Sequence, residues 1–177
     1  MDTVRYNRPM KVRRAVPDDA EDIGRVNVLA WQVAYDGHMP AGYLASLDPS
    51  ARADTWRERM QTMQPDQAIF VAVDDSDTII GFAACGNDSD SDAGQVFAIY
   101  VDPPRWGTGA GRALMDAAVA HLTVAGPRPV RLWALDGNER ARRFYERYGF
   151  AADGATGRHT IPDGEVPTLR FTLPAAA

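Results

Sequence analysis

The sequence predicts an α/β fold: one mixed, mostly antiparallel sheet of about six or seven strands, with helices on both faces. Three observations carry that expectation. Val96–Val101 is an unbroken apolar run with β-branched and aromatic members, as a buried strand requires. Pro103 and Pro104 stop it, glycines 107, 109 and 111 follow, and then Leu114, Ala118 and Leu122 recur on one helical face. A second apolar run, Val130–Leu135, comes directly after that helix, so it should lie parallel to the first through a right-handed crossover. The 177 residues are 45% hydrophobic, enough for one core, and no repeat or linker divides them. One domain over residues 1–177 is expected.

Taken in order, Lys11–Val16 reads as a first strand, and Pro17-Asp18-Asp19 starts a helix, since early carboxylates suit the positive helix end. That helix should run from about Ala20 to Tyr35, burying Ile23, Val26, Leu29 or Ala30, and Val33, until Asp36-Gly37 stops it. Shorter helices are expected over Pro40–Leu47 and Pro49–Met63. Ala68–Val73 and Thr78–Cys85 should pair as a hairpin around the turn at Asp74–Asp77. The helix after the glycines should span Gly109 to about Val124, and another Asn138–Tyr148, with Gly149 as its left-handed cap. Phe150–Ala152 and Thr168–Leu173 read as closing strands, and the tail from Pro174 as frayed.

Composition narrows the function. One cysteine, Cys85, excludes a disulfide framework and a cysteine-cluster metal site. The start is polar, with no apolar leader core, and no run approaches membrane-spanning length, so a soluble cytoplasmic protein is expected. A formal net charge of −5 argues against nucleic acid as a partner. A polyphosphate ligand must then be held by local amides and nearby arginines.

Strand, glycine-rich turn and helix make an anion site, because glycine admits close backbone approach and the first helical N–H groups lack partners. A dinucleotide fingerprint fails on spacing, since Arg112 stands where its third glycine belongs. A P-loop fails for want of the Gly-Lys-Ser/Thr ending. What remains, Trp106-x-x-Gly109-x-Gly111, resembles the acyl-CoA pyrophosphate loop of the GNAT N-acetyltransferases, Gln/Arg-x-x-Gly-x-Gly/Ala. The departure, Trp106, falls at a position that in the family acts mainly through its backbone. A second segment, Asn138-x-x-Ala141-x-x-Phe144-Tyr145-x-x-x-Gly149-Phe150, is similar to the family's other acyl-CoA element and lies one strand and one turn further on. Read alone, Ala141, Phe144, Tyr145 and Tyr148 are equally an ordinary core stripe at helical spacing.

The resemblance covers about Lys11 to Leu173 and implies a GNAT-like domain in which the strand before the glycine loop bulges and splays from its parallel neighbour, with acetyl-CoA in the gap. It implies that the backbone of Ile99 to Val101, Tyr100 included, bonds the acetyl and pantetheine groups like an added strand. It places the pyrophosphate on the loop Arg105, Trp106, Gly107, Thr108, Gly109, Ala110, Gly111 and Arg112, and the pantetheine beside Asn138 and Ala141. Tyr145 matches the general acid on the departing thiolate. A tyrosine near pKa ~10 facing a thiol near ~8.5 makes full proton transfer uphill by about 2 kcal/mol, so a strengthening hydrogen bond is the firmer role. Many relatives hold a glutamate base where this chain has Gln95, which cannot take a proton. Deprotonation then passes through water to Asp92, Asp36 or His38, or needs no dedicated base. Trp31, Tyr35, His38 and Tyr43 fall in the region that shapes the acceptor pocket in the family, and ordinary packing accounts for them equally well.

Other chemistries find no support. Asp88, Asp90 and Asp92 imitate a calcium loop, but Ala93 replaces its glycine and Ile99 its last carboxylate. The histidines and carboxylates show no metal-ligand spacing, so no metal is expected. No Gly-x-Ser-x-Gly elbow occurs, and Cys85 lacks a base partner. The expectation is acetyl transfer from acetyl-CoA to a primary amine by direct attack in a ternary complex. A catalytically silent acyl-CoA sensor is the alternative. Small-molecule and peptide amines both remain open as acceptors, as does a homodimer.

Overall fold

The computed structural model describes residues 10–176, so the polar start over residues 1–9 and the final residue lie outside the described residues. The strands are β1 Lys11–Arg14, β2 Ala68–Val73, β3 Ile79–Asn87, β4 Gly94–Val101, β5 Val130–Leu135, β6 Ala151–Ile161 and β7 Gly164–Leu173. The helices are α1 Ala20–Ala34, α2 Ala41–Ala45, α3 Pro49–Thr62, α4 Ala110–Leu122 and α5 Glu139–Tyr148. The strands form one sheet in the order β1-β2-β3-β4-β5-β7-β6, antiparallel except for β4 beside β5.

One face of the sheet carries α1 and α3, where Ile23, Val26 and Trp56 pack on Val71, Phe82 and Ala84. The other carries α4 and α5, where Met115, Ala118, Leu122 and Tyr145 pack on Val96, Leu132 and Phe171. Asp19, only 8% exposed, forks onto Arg13 at 2.7 and 2.9 Å and so fastens β1 to the start of α1.

Two expectations need correction. In α1, Ala30 rather than Leu29 faces the core, and Leu29 and Val33 are exposed. The buried side of α1 instead takes in Ala20, Ile23, Val26, Asn27, Ala30 and Trp31, with Gly24 and Val28 beside them, and Val33 lies off it. The end of the chain is a long hairpin, not two short strands: β6 continues through Thr156–Ile161 and turns back at Pro162-Asp163. Most of β6 is exposed, so no apolar alternation marks it. Asp153 also sits in the register shift between Ala152 and Thr156.

Candidate active site

Only three rungs join β4 to β5: Gly94 with Val130, Gln95 with Arg131 and Val96 with Leu132. Beyond them β5 stays paired with β7 and β4 stays paired with β3, so the two strands part. The departure coincides with a bulge. Cys85 opposes Val96 while Ala84 opposes Ala98, leaving Phe97 as the extra residue. The bulge also shifts the side-chain alternation, so that Tyr100 packs toward α1 while Ile99 and Val101 pack toward α4.

The gap opens into a cleft of about 740 Å³ walled by β4, β5, the glycine turn, α5 and the end of α1. Asp102 N–H bonds Ile80 O on the β3 side. By the alternation of an antiparallel ladder, the backbone groups of Ile99 and Val101 then point away from β3, into the cleft. A free strand edge thus lines one wall, and Val101 O already accepts the Trp106 indole N–H at 2.8 Å.

At the mouth, Gly107 and Gly109 have φ of 79° and 95°, a left-handed backbone that side chains disfavour. Gly109 caps α4, and nothing lies within 4 Å of where a Cβ would sit on either glycine. The loop therefore presents amides and the positive end of a 13-residue helix to open space. Thr108 does not face the cleft; its hydroxyl donates to Arg105 O at 2.7 Å and tightens the turn. Arg105 lines the cleft but is engaged by Asp74 at 2.8 Å. Arg112 lies over the Tyr148 ring, and Arg140 over the Trp106 ring at 3.8 Å. With Arg143 and Arg147, these line the mouth with five guanidinium groups. The three from α5 were not among the sequence candidates, though their spacing at 140, 143 and 147 puts them on one helix face and was readable.

Asn138 Oδ1 accepts from Ala141 N–H at 3.1 Å and caps α5; both residues line the cleft, and Nδ2 makes no hydrogen bond among the described residues. Tyr145 is 8% exposed, packed among Phe144, Phe150 and Phe171, and its hydroxyl makes no hydrogen bond among the described residues. Burial, and then the neighbouring Tyr100, push its pKa well above the usual tyrosine value. On the opposite face of the sheet, Tyr35 and Tyr100 join hydroxyls at 3.0 Å, and burial raises both of their pKa values as well.

Other expected residues stand further out. Trp31 backs Tyr35 at 5.1 Å between ring centroids without lining the cleft. His38 is exposed, its ring packed against Gly137 beside Asn138. Gln95 lies on the α3 face, in a separate hollow with Trp56, Arg59 and Cys85. Ala110 is buried at the root of α4. Asp36 and Asp92 are exposed outside the cleft, whereas Asp88 is held by Arg131 and Ser91. Burial pushes the Cys85 thiol up to about 12, which removes it as a nucleophile near neutral pH. Two residues against the Trp31 ring were missed: Arg52 and His159. Neither belongs to a motif, and only the packing of α3 and β6 brings them there.

A splayed parallel pair, a free strand edge and a glycine-capped helix define an acyl-CoA-type transferase fold. The acetyltransferase (GNAT) family model matches residues 12–150, and the chain belongs to that family. It is 31% identical over 140 residues to the uncharacterized N-acetyltransferase YuaI of Bacillus subtilis (strain 168), covering 77% of this chain and 78% of that one. It is 31% identical over 137 residues to the mycothiol acetyltransferase of Propionibacterium freudenreichii subsp. shermanii, covering 76% of this chain but 40% of that one. The chain thus spans less than half the length of that larger relative. In fold it resembles the PaiA N-acetyltransferase of Thermoplasma acidophilum in complex with coenzyme A, with a TM-score of 0.68, 19% identity and coverage of 91% and 98%. Among the described residues, no helix is long and apolar enough to cross a membrane.

Proposed function

We propose that this chain is an acetyl-CoA-dependent N-acetyltransferase acting on a primary amine by direct attack in a ternary complex. The observation that carries the reading is the cleft itself, which runs from the glycine-capped end of α4 to the unbonded hydroxyl of Tyr145. The pyrophosphate of acetyl-CoA fits the amides of Gly107–Gly111, with Arg143 and Arg147 as counter-charge. The pantetheine arm fits the free edge of β4 at Ile99 and Val101, with Asn138 Nδ2 across from it.

The amine enters from the α1 side, past Tyr35 and Tyr100. Its nitrogen attacks the thioester carbonyl, the C–N bond forms, and the tetrahedral oxyanion collapses with loss of the C–S bond. The amine gives up a proton and the coenzyme A thiolate takes one. Tyr145, held protonated by its buried setting, donates a hydrogen bond that strengthens as sulfur gains charge. Its raised pKa makes complete proton transfer to sulfur still less favourable than for an ordinary tyrosine, so electrostatic stabilisation is its main contribution.

A thiol-release assay with acetyl-CoA against a panel of amines tests the proposal. Amine-dependent release with formation of the N-acetyl product is expected. Tight acetyl-CoA binding with no release across the panel would instead identify an acyl-CoA sensor.

A further inference from the structure

Four aromatic and basic side chains converge on the Trp31 ring from four elements. Arg52 of α3 lies 4.7 Å from its centroid, Tyr35 of α1 5.1 Å, His159 of β6 5.8 Å and Tyr100 of β4 6.2 Å. Tyr35 and Tyr100 also line the cleft, so Arg52 stands one ring away from it on the side where the acceptor enters.

Two donors of the cluster lack a partner. Trp31 is 8% exposed, and among the described residues its Nε1–H, near the Tyr100 hydroxyl, completes no hydrogen bond. Among the described residues, the Arg52 guanidinium makes no ion pair and no hydrogen bond. The arginines 13, 25, 57, 131 and 170, in contrast, each reach a carboxylate. The chain holds 24 Asp and Glu against 19 Lys and Arg, so a partly buried arginine that pairs with no carboxylate among the described residues goes against the overall charge balance. His159 adds no acid: its imidazole is held toward the neutral form, first by burial and then by Arg52.

We infer that the acceptor carries an anionic group, a carboxylate such as that of an amino acid, which pairs with Arg52 beside the Trp31 N–H; this rests on the N-acetyltransferase reading above. A guanidinium fork and an indole N–H together offer only donors, the complement of a carboxylate's two oxygens. A second cation in the acceptor, as in a polyamine or a lysine side chain within a basic peptide, would meet Arg52 with like charge.

Calorimetry of the coenzyme A-loaded enzyme with N-acetyl amino acids (alanine, leucine, phenylalanine and glutamate) and their C-terminal amides reads this directly. At least one free acid should bind roughly ten-fold or more tighter than its amide, the size expected of a charge-assisted hydrogen bond. Arg52→Ala should erase that difference while leaving amide binding and coenzyme A affinity in place, and Arg52→Lys should restore part of it. Arg59→Ala is the control. Arg59 stacks on Trp56 at the same 4.7 Å but lines the other hollow, so the difference should survive there. Equal binding of acid and amide in the wild type, or a preference that persists in Arg52→Ala, overturns the inference. Amines acetylated without regard to their carboxylate sink the Arg52 site and leave the transferase standing. A carboxylate preference without turnover does the reverse.

Discussion

The hydroxyl oxygens of Tyr35 and Tyr100 lie 3.0 Å apart, tying α1 to β4 along the wall of the cleft that Tyr145 also lines. Each of those two hydroxyls has its partner; that of Tyr145 has none among the described residues. Under the proposed mechanism the difference separates a wall from a working group. Tyr145→Phe should keep acetyl-CoA affinity within a few-fold, because the ring still packs against Phe150 and Phe171, and lower kcat by on the order of 10²-fold. Steady-state kinetics with one amine decide it, and an unchanged kcat would reduce Tyr145 to packing.

Gly109→Asp should abolish acetyl-CoA binding in a protein that still folds. A Cβ there meets nothing within 4 Å, so the side chain has room, although φ of 95° costs some stability. The carboxylate would stand at the helix end where the pyrophosphate is placed. Calorimetry on the folded variant checks this, and near-normal affinity would put the phosphates elsewhere.

Arg143→Ala with Arg147→Ala should weaken acetyl-CoA binding about ten-fold at low salt and flatten the dependence of affinity on ionic strength. Both line the mouth and are exposed, so the fold should not change. A double variant with wild-type affinity and wild-type salt slope would remove them from the phosphate site.

The pH dependence of kcat/KM should rise toward the acceptor's own amine pKa with no earlier plateau. Burial raises the cleft tyrosines 35, 100, 145 and 148, so none ionises near neutrality, and Gln95 cannot titrate. His159 is an alternative, with its pKa lowered from the usual histidine value. A wild-type inflection below about pH 6.5 that disappears in His159→Gln would make it the base instead.

Asp153 predicts a stability effect at the far edge of the sheet. Burial alone would raise its pKa, but hydrogen bonds from Thr172 Oγ1, Ala155 N–H and Arg170 outweigh it and hold the carboxyl at about 2. Because the folded value lies below the unfolded one of ~3.9, its stabilisation is fully present above about pH 4 and is lost as pH falls through about 2. Asp153→Asn should lower the unfolding midpoint at neutral pH by roughly 2–6 °C, and the deficit should vanish in strong acid. Thermal melts of both proteins from acid to neutral pH test the sign.

The sequence by itself determined the parts that rest on local rules. The limits of β2 and β5 and the ends of α1, α3 and α5 follow from apolar runs, prolines and caps, and fall within a residue or two of their expected positions. Glycines 107 and 109 were legible because a left-handed backbone before a helix admits little else. That Tyr145 and Asn138 line one cleft was legible because one helical motif holds both. What tertiary structure decided depends on residues distant in the chain. The hairpin β6–β7 has no apolar rhythm, since its register comes from pairing with β5 and from the Asp153 cluster rather than from burial. Arg52 and His159, more than a hundred residues apart, meet only because α3 and β6 both pack against Trp31. The same holds at Gln95, whose neighbours in the chain place it on the strand, but whose face was settled by the bulge at Phe97 and the packing of α3 beneath it.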